Sequence, residues 1–531
     1  MSQTSRRAFL KQATALSSLG AAMPLGLNLS AITQAAAQSA SSDYRALVCI
    51  FLYGGNDSIN MVLPTDSSSW THYTNHRNPA SRDASDTSQS IALLAPGVAA
   101  NPSASGSTPE RLGGVLPISH AGRAVHAGRQ FALHPAMPNV QALHQAGRAA
   151  VVANVGPLLA VTNKADWANA AVAKPAKLFS HNDQQSTWQS FGVEGTAAGW
   201  AGLMGDLLMS NNGAGAGANA ALIQRAFTCM SPTGASVWMN GAKVLPFLTG
   251  STGLSGLGSS DNKVYGSAKL QSAMATIMGS AGGSGYHLRD HQSLVLRGLQ
   301  ANSLIGSKLP VSGQAPWGTA LQTNPWSETL LKYTSPVDGT LKTNYLAMQL
   351  QMVARLIDTN RTAGLGMTRQ FFMVSAGGFD THDREIATHG ECMAQLDHAL
   401  AYFDAVLGAM PSGNMRSQVT TFTASDFGRT FTNNGDGTDH GWGAHHLVMG
   451  GAVRGTEVYG AFPTFSTADS KGVFNSPDQI QNGSLLPSTS VDQYAATLGK
   501  WMGVSNSDLL SIMPNLKNFD SSVQNLGFLN A

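Results

Sequence analysis

A helix-flanked α/β fold built on a largely parallel sheet is what this 531-residue sequence predicts. Three observations carry the expectation. Short apolar or β-branched runs recur at 46–53, 149–155, 371–376, 418–424 and 446–450, bounded by Gly, Asn or Asp. Runs of this kind suit strands buried on both faces. Between them, apolar residues return at helical spacing: Leu346, Leu350, Val353 and Ile357 form one stripe, and Met393, Leu396, Leu400, Phe403 and Leu407 another. Finally, two strand runs end alike. "LVCIFLYGGND" (47–57) and "FFMVSAGGFDTH" (371–382) both pass from apolar residues through Gly-Gly to a carboxylate. In α/β sheets, ligands gather beyond such strand ends.

Taken in chain order, the first segment is a leader rather than a structural element. "SRRAFLK" (5–11) carries paired arginines, an apolar stretch interrupted by Gly, Ser, Thr and Asn follows, and Ala35-Ala36-Ala37 offers a small-residue cleavage site. This pattern predicts a twin-arginine export signal over residues 1–37, with the twin-arginine machinery as partner and a periplasmic or secreted destination. Without Arg6, Arg7 and Lys11 the 32 Lys and Arg fall to 29, against 30 Asp and Glu. A balance that close to neutral excludes a general nucleic-acid-binding footprint. No later segment has the uncharged apolar length of a membrane span. Three cysteines (Cys49, Cys229 and Cys392) are too few for a disulfide framework. Residues 44–531 read as a single domain. Within it, 66–130 is a polar excursion, 135–147 a helix that starts after Pro and stops at Gly147, and 211–340 an insertion or cap with Gly/Ser tracts and a helix near 286–303.

The chemistry-bearing residues cluster at strand ends. Asp57, Asp380 and His382 follow the two Gly-Gly turns, and Asp426 follows a strand in "VTTFTASDFGRT" (419–430). A Gly-rich loop, "NNGDGTDHGWGAHH" (433–446), adds Asp439, His440, His445 and His446. Carboxylates and imidazoles converging on one sheet edge suit a divalent cation: zinc for a mixed nitrogen and oxygen set, magnesium, manganese or calcium for oxygen alone. An Asp after Gly-Gly also serves as a turn residue or helix N-cap, and the histidines could satisfy a loop. Recurrence at several strand ends favours the metal. "DFG" lacks the Gly-rich loop and strand lysine of the kinase set and is set aside.

"LYGGNDSIN", "LHPAMPNVQAL", "VVANVGP", "SHNDQQ", "GGFDTH", "SDFGRT" and "DHGWGAHHLVMGGAVRG" resemble, in order, the domain-of-unknown-function family numbered 1501, exported bacterial proteins. That family is itself similar to the alkaline phosphatase and sulfatase superfamily. The resemblance implies a three-layer sandwich with insertions and a pair of metal ions. One would be held by Asp380, His382 and His440, the other by Asp57 and Asp426. The chain departs from the superfamily at Phe427, where a histidine commonly follows the aspartate; His445 or His446 would have to compensate. Ser180, before a polar helical run, is the implied nucleophile or a plain N-cap, with His181 as acid and Arg429 as anion clamp, or both as ordinary surface residues. "CMSPTG" (229–234) lacks the Pro and Arg spacing of a modified-Cys sulfatase. The implied function is a metal-dependent hydrolase of phosphate or sulfate esters, on a small-molecule or glycan substrate. The alternative is a non-enzymatic envelope or surface protein that keeps the fold and binds glycans or partner proteins.

Overall fold

The computed structural model describes residues 44–81, 83–254, 263–279, 285–319 and 325–530. The leader expected over 1–37 lies outside the described residues. Among those that are described, the strands that matter here are β1 (Arg45–Leu52), β2 (Ala149–Gly156), β3 (Cys229–Ser231), β4 (Phe247–Leu248), β5 (Arg369–Ala376), β6 (Val419–Ser425), β7 (Arg429–Asn433), β8 (Thr438–His440), β9 (Ala444–Met449), β10 (Val458–Tyr459) and β11 (Thr489–Ser490). The helices that position the site are α1 (Ser67–Arg77), α2 (Pro138–Gln145), α3 (His181–Ser190), α4 (Tyr345–Thr362), α5 (Glu385–Gly408) and α6 (Val491–Met502).

One nine-stranded sheet runs in the order β10-β2-β9-β6-β1-β5-β3-β4, with β11 also paired to β2. β1 is central because it is apolar from Ala46 to its end. Ala46, Val48, Ile50 and Leu52 enter one hydrophobic cluster, while Leu47, Cys49 and Phe51 enter another. The period-two alternation of a strand puts these two sets on opposite faces. α2, α4 and α5 bury apolar residues in the first cluster; Trp188 of α3 and most of α6 enter the second. Each fully buried Leu, Ile or Phe contributes roughly 1.5–3 kcal/mol through lost apolar surface, enough to commit β1 to the centre.

The expected strands coincide with β1, β2, β5, β6 and β9. The sheet is mixed, however. β1 is parallel to β5 and β6, β5 to β3, β3 to β4, and β2 to β10 and β11, but β9 runs antiparallel to both β6 and β2. The link from β6 to β9 explains this reversal. It contains the β7–β8 hairpin instead of a crossover helix, so the chain re-enters from the edge at which it left. Parts of the 211–340 segment belong to the sheet: β3 and β4 extend it beyond β5. The polar 66–130 excursion contains α1, whose N-cap Asp66 accepts from the Ser69 amide at 3.1 Å. Among the described residues, no helix is long and apolar enough to cross a membrane.

β1, β5 and β6 end level with one another. Leu52 pairs with Ala376 on one side and Ser425 on the other. Their outgoing loops therefore meet at one sheet edge.

Candidate metal centre

The first glycine turn exists to let two loops touch. Gly54 and Gly55 adopt φ of +119° and +86°, in the region that side chains rarely enter. A Cβ on Gly54 would lie 2.4 Å from the Asp380 amide nitrogen, and one on Gly55 would lie 2.3 Å from the Phe427 ring. The β7–β8 hairpin closes from the other side. Arg429 pairs with His440 across it, and the Thr438 amide donates to Thr381 O at 3.0 Å. A third approach comes from the turn before α3, where Lys177 and Phe179 hold positive φ of 47° and 71°. Non-glycine residues in this region store strain that the surrounding structure must hold, and such strain concentrates at functional sites. Here it aims the Phe179 carbonyl at His440 and starts α3 with His181.

Three imidazoles and a carboxylate result. His440 Nε2 lies 3.3 Å from Asp380 Oδ1, His382 Nε2 lies 3.2 Å from the same oxygen, and His181 Nε2 lies 3.5 Å from Asp380 Oδ2. The two Nε2 atoms of His382 and His440 are 2.9 Å apart. His181, Asp380 and His440 each offer a ligand atom, all within 4.8 Å of one another.

The partners of the outer ring nitrogens decide what faces inward. His440 Nδ1 is 2.8 Å from Phe179 O, an atom that can only accept, so the ring proton belongs on Nδ1. His181 Nδ1 is 2.7 Å from Asp426 Oδ2, with the same consequence. His382 Nδ1 faces Asp439 Oδ1 at 3.4 Å. In the neutral rings of His181 and His440, the Nε2 lone pairs therefore point at Asp380. Lone pairs meeting lone pairs repel unless a proton or cation lies between them. Imidazoles that donate Nδ1–H to a carboxylate or carbonyl, with Nε2 turned inward, are the usual outer support of a metal ligand. Burial holds the His440 imidazole below the ordinary histidine range, which keeps it in the unprotonated form a metal requires. Burial pushes Asp380 up, but the hydrogen bond and charge of Arg429 outweigh this and leave it below the usual carboxylate range. The set fits zinc, for which nitrogen and oxygen donors are ordinary ligands.

The other expected site residues lie elsewhere or have other partners. Asp57 is fully buried and its carboxylate is gripped by both terminal nitrogens of Arg77, Nη2–Oδ1 being 3.0 Å. Burial pushes its carboxyl up, but the charge and hydrogen bonds of Arg77 prevail and hold it at about 2. Asp57 also caps the turn Ser58–Met61, accepting from Ile59 N at 3.2 Å. A carboxylate so engaged already has its cation. Asp426 stands behind His181, accepting from it and from Gln185 Nε2 at 2.9 Å; its Oδ1 is buried without a hydrogen bond. Phe427 packs its ring 4.9 Å from that of His181 and 4.5 Å from that of His440, forming an apolar floor.

Arg429 is buried, donating to Asp380 Oδ1 at 2.6 Å, to Thr438 Oγ1 at 3.1 Å and to Thr438 O. Its fork holds the site together. Ser180 is the N-cap residue of α3, but its hydroxyl donates to Asp183 Oδ2 at 2.8 Å. His445 and His446 are buried on β9. His445 accepts from Asn154 N at 3.0 Å and stacks on Phe462 at 4.2 Å, while His446 lies 4.8 Å from the Trp188 ring. As strand neighbours they point to opposite faces of the sheet, so they cannot serve one ion together. Sequence reasoning assigned His181 to proton transfer rather than to the donor set, and overlooked Arg77 and Gln185. Gln185 sits one helical turn after His181, a spacing that puts both on one face of α3 and was readable. Nothing local marked Arg77.

A family model described as "Protein of unknown function (DUF1501)" matches residues 320–513. The chain is similar to that family over the span that carries Asp380, His382, Asp426, Arg429 and His440; His181, Asp57 and Arg77 precede it. No curated protein matches the chain significantly.

Proposed function

We propose that this protein is an exported, metal-dependent hydrolase of phosphate or sulfate esters with an alkaline-phosphatase-like arrangement. One observation carries the reading: the Nε2 atoms of His181 and His440 and the carboxylate of Asp380 converge, each supported from behind. His181, Asp380 and His440 would hold a divalent cation, with His382 on the open side. A cation there supplies Lewis acidity to an ester oxygen and makes water a stronger acid. The chain's own residues do the rest. Arg429 keeps Asp380 ionised and oriented, Asp426 fixes the His181 tautomer, and Phe427 shields the inner faces of two imidazoles. Of the two ions the superfamily resemblance implies, the second is displaced in this reading by Arg77, which supplies the positive charge beside Asp57. With the Ser180 hydroxyl donating to Asp183, water is favoured over serine as the attacking group.

The test is metal analysis of the mature protein followed by assay on phosphomonoesters, phosphodiesters and sulfate esters. About one equivalent of zinc or manganese with turnover of at least one class is expected. A fully metallated protein inert on the whole panel would sink the hydrolase reading. The internal engagement of both Ser180 and Arg429 favours a second reading in that event: a non-enzymatic envelope protein that retains the metal and binds a glycan or protein. Export is part of the proposal. Arg6→Lys with Arg7→Lys should leave an unprocessed cytoplasmic precursor, and normal processing of that variant refutes the twin-arginine route.

A further inference from the structure

The loops that build the site carry an imbalance of charge. Residues 380–384, 426–429 and 434–440 contain five carboxylates (Asp380, Asp383, Asp426, Asp436 and Asp439) and two guanidiniums, Arg384 and Arg429. Of the guanidiniums, Arg429 is buried and committed to Asp380. Lys177, in the turn before α3, pairs with Asp183 at 3.3 Å. A divalent cation therefore still leaves the loops with one net negative charge. A net negative charge in the surrounding loops weighs more against a doubly charged phosphate than against a singly charged ester.

Asp439 is the carboxylate beside the third imidazole of the cluster. Its side chain is half exposed, faces His382 Nδ1 at 3.4 Å, and is fixed by Asn434 Nδ2 at 3.0 Å. His382 is the most exposed of the three imidazoles, at 46% of its side chain against 32% for His181 and 24% for His440, so Asp439 stands on the exposed side of the cluster.

We propose that the site accepts singly charged oxyanion esters, the charge shared by sulfate monoesters and phosphodiesters, and discriminates against doubly charged phosphate monoesters, with Asp439 setting the discrimination. The inference rests on the metal-site reading above but makes a separate demand. The second charge of a phosphate monoester is repelled by the Asp439 carboxylate beside the cluster, a repulsion worth about tenfold in affinity.

The zinc-loaded mature protein and its Asp439→Asn variant would be titrated calorimetrically at pH 8 with methyl sulfate, dimethyl phosphate and methyl phosphate. Zinc content and thermal unfolding would be recorded alongside to show that the variant is folded and loaded. The wild type should bind at least one of the two singly charged ligands about tenfold more tightly than methyl phosphate, and which one identifies the ester class. Asp439→Asn should close most of that gap by gaining affinity for methyl phosphate. Equal affinities in the wild type, or a gap unchanged in the variant, overturn the charge-selection proposal while leaving a metal-bound anion site intact. Absence of binding by all three ligands overturns both.

Discussion

Two strand ends in this molecule share a sequence pattern and diverge completely in structure. After β1, Gly-Gly leads to Asp57; after β5, Gly-Gly leads to Asp380. Asp57 is sealed, fully buried, and neutralised by a guanidinium delivered from α1. Beside it lie Glu385, also fully buried, whose carboxyl is pushed well up by burial and by Asp57, and His389, whose Nε2 meets Asn56 Oδ1 at 3.0 Å. Asp380 is 44% exposed at its side chain and is met by imidazoles whose lone pairs point inward. A carboxylate is the same chemical group in both places. What differs is whether the fold brings it a cation of its own or a set of donors that calls for one.

The comparison breaks most visibly at Arg77. Replacing Arg77 with Met leaves the buried Asp57 without its partner, and the loss should be about 3–5 kcal/mol of folding stability, read by chemical denaturation. Adding Asp57→Asn to that variant should recover part of it, because the uncompensated charge is gone. If Arg77→Met costs less than ~1 kcal/mol, Asp57 is not closed by an internal cation and remains available for a metal.

Acid sharpens the contrast next. Burial depresses His389 to about 4. In the unfolded chain a histidine titrates near 6.5, so the folded value lies below the unfolded one and the unfolded state takes up the proton first. The stability tied to neutral His389 is therefore whole above about pH 6.5 and erodes as pH falls toward 4. Between pH 6.5 and 4.5 that amounts to roughly 2–3 kcal/mol. His389→Gln, which can still meet Asn56, should flatten the decline by about this amount, and His440→Gln at the half-buried open site should flatten it less. Identical flattening by the two variants would remove the distinction between sealed and open regions.

Support of the open site can be tested from behind. Asp426→Asn leaves the shape but loses the carboxylate that fixes His181, so zinc affinity should fall about 10–100-fold in a chelator competition, the usual effect of disturbing a metal ligand's outer partner. Unchanged affinity would mean that His181 is not a ligand. The smallest effect is expected at Ser180. Ser180→Ala removes one part-buried hydrogen bond to Asp183, costs about 1 kcal/mol, and should leave bound metal and turnover largely intact. Loss of turnover with metal retained would restore Ser180 as nucleophile.

The strands and the place where their outgoing loops meet are legible along the chain. "RALVCIFL" and "RQFFMVSA" are apolar enough on both faces to be internal strands, and the glycines after them permit close-packed turns. Asp380, His382 and His440 were legible because strand ends and Gly-rich loops are local features. The antiparallel course of β9 was less so, since hydrophobic runs carry no direction; a hairpin in the connection settles it. Which carboxylates are neutralised internally and which are left facing imidazoles is settled by folding. Arg77 and Asp57 are 20 positions apart, and His181 and Asp426 are 245 apart. Helical or strand periodicity holds no information about such pairs. Coulombic partnership depends on through-space distance and burial, and the chain acquires both only when the sheet edge is assembled.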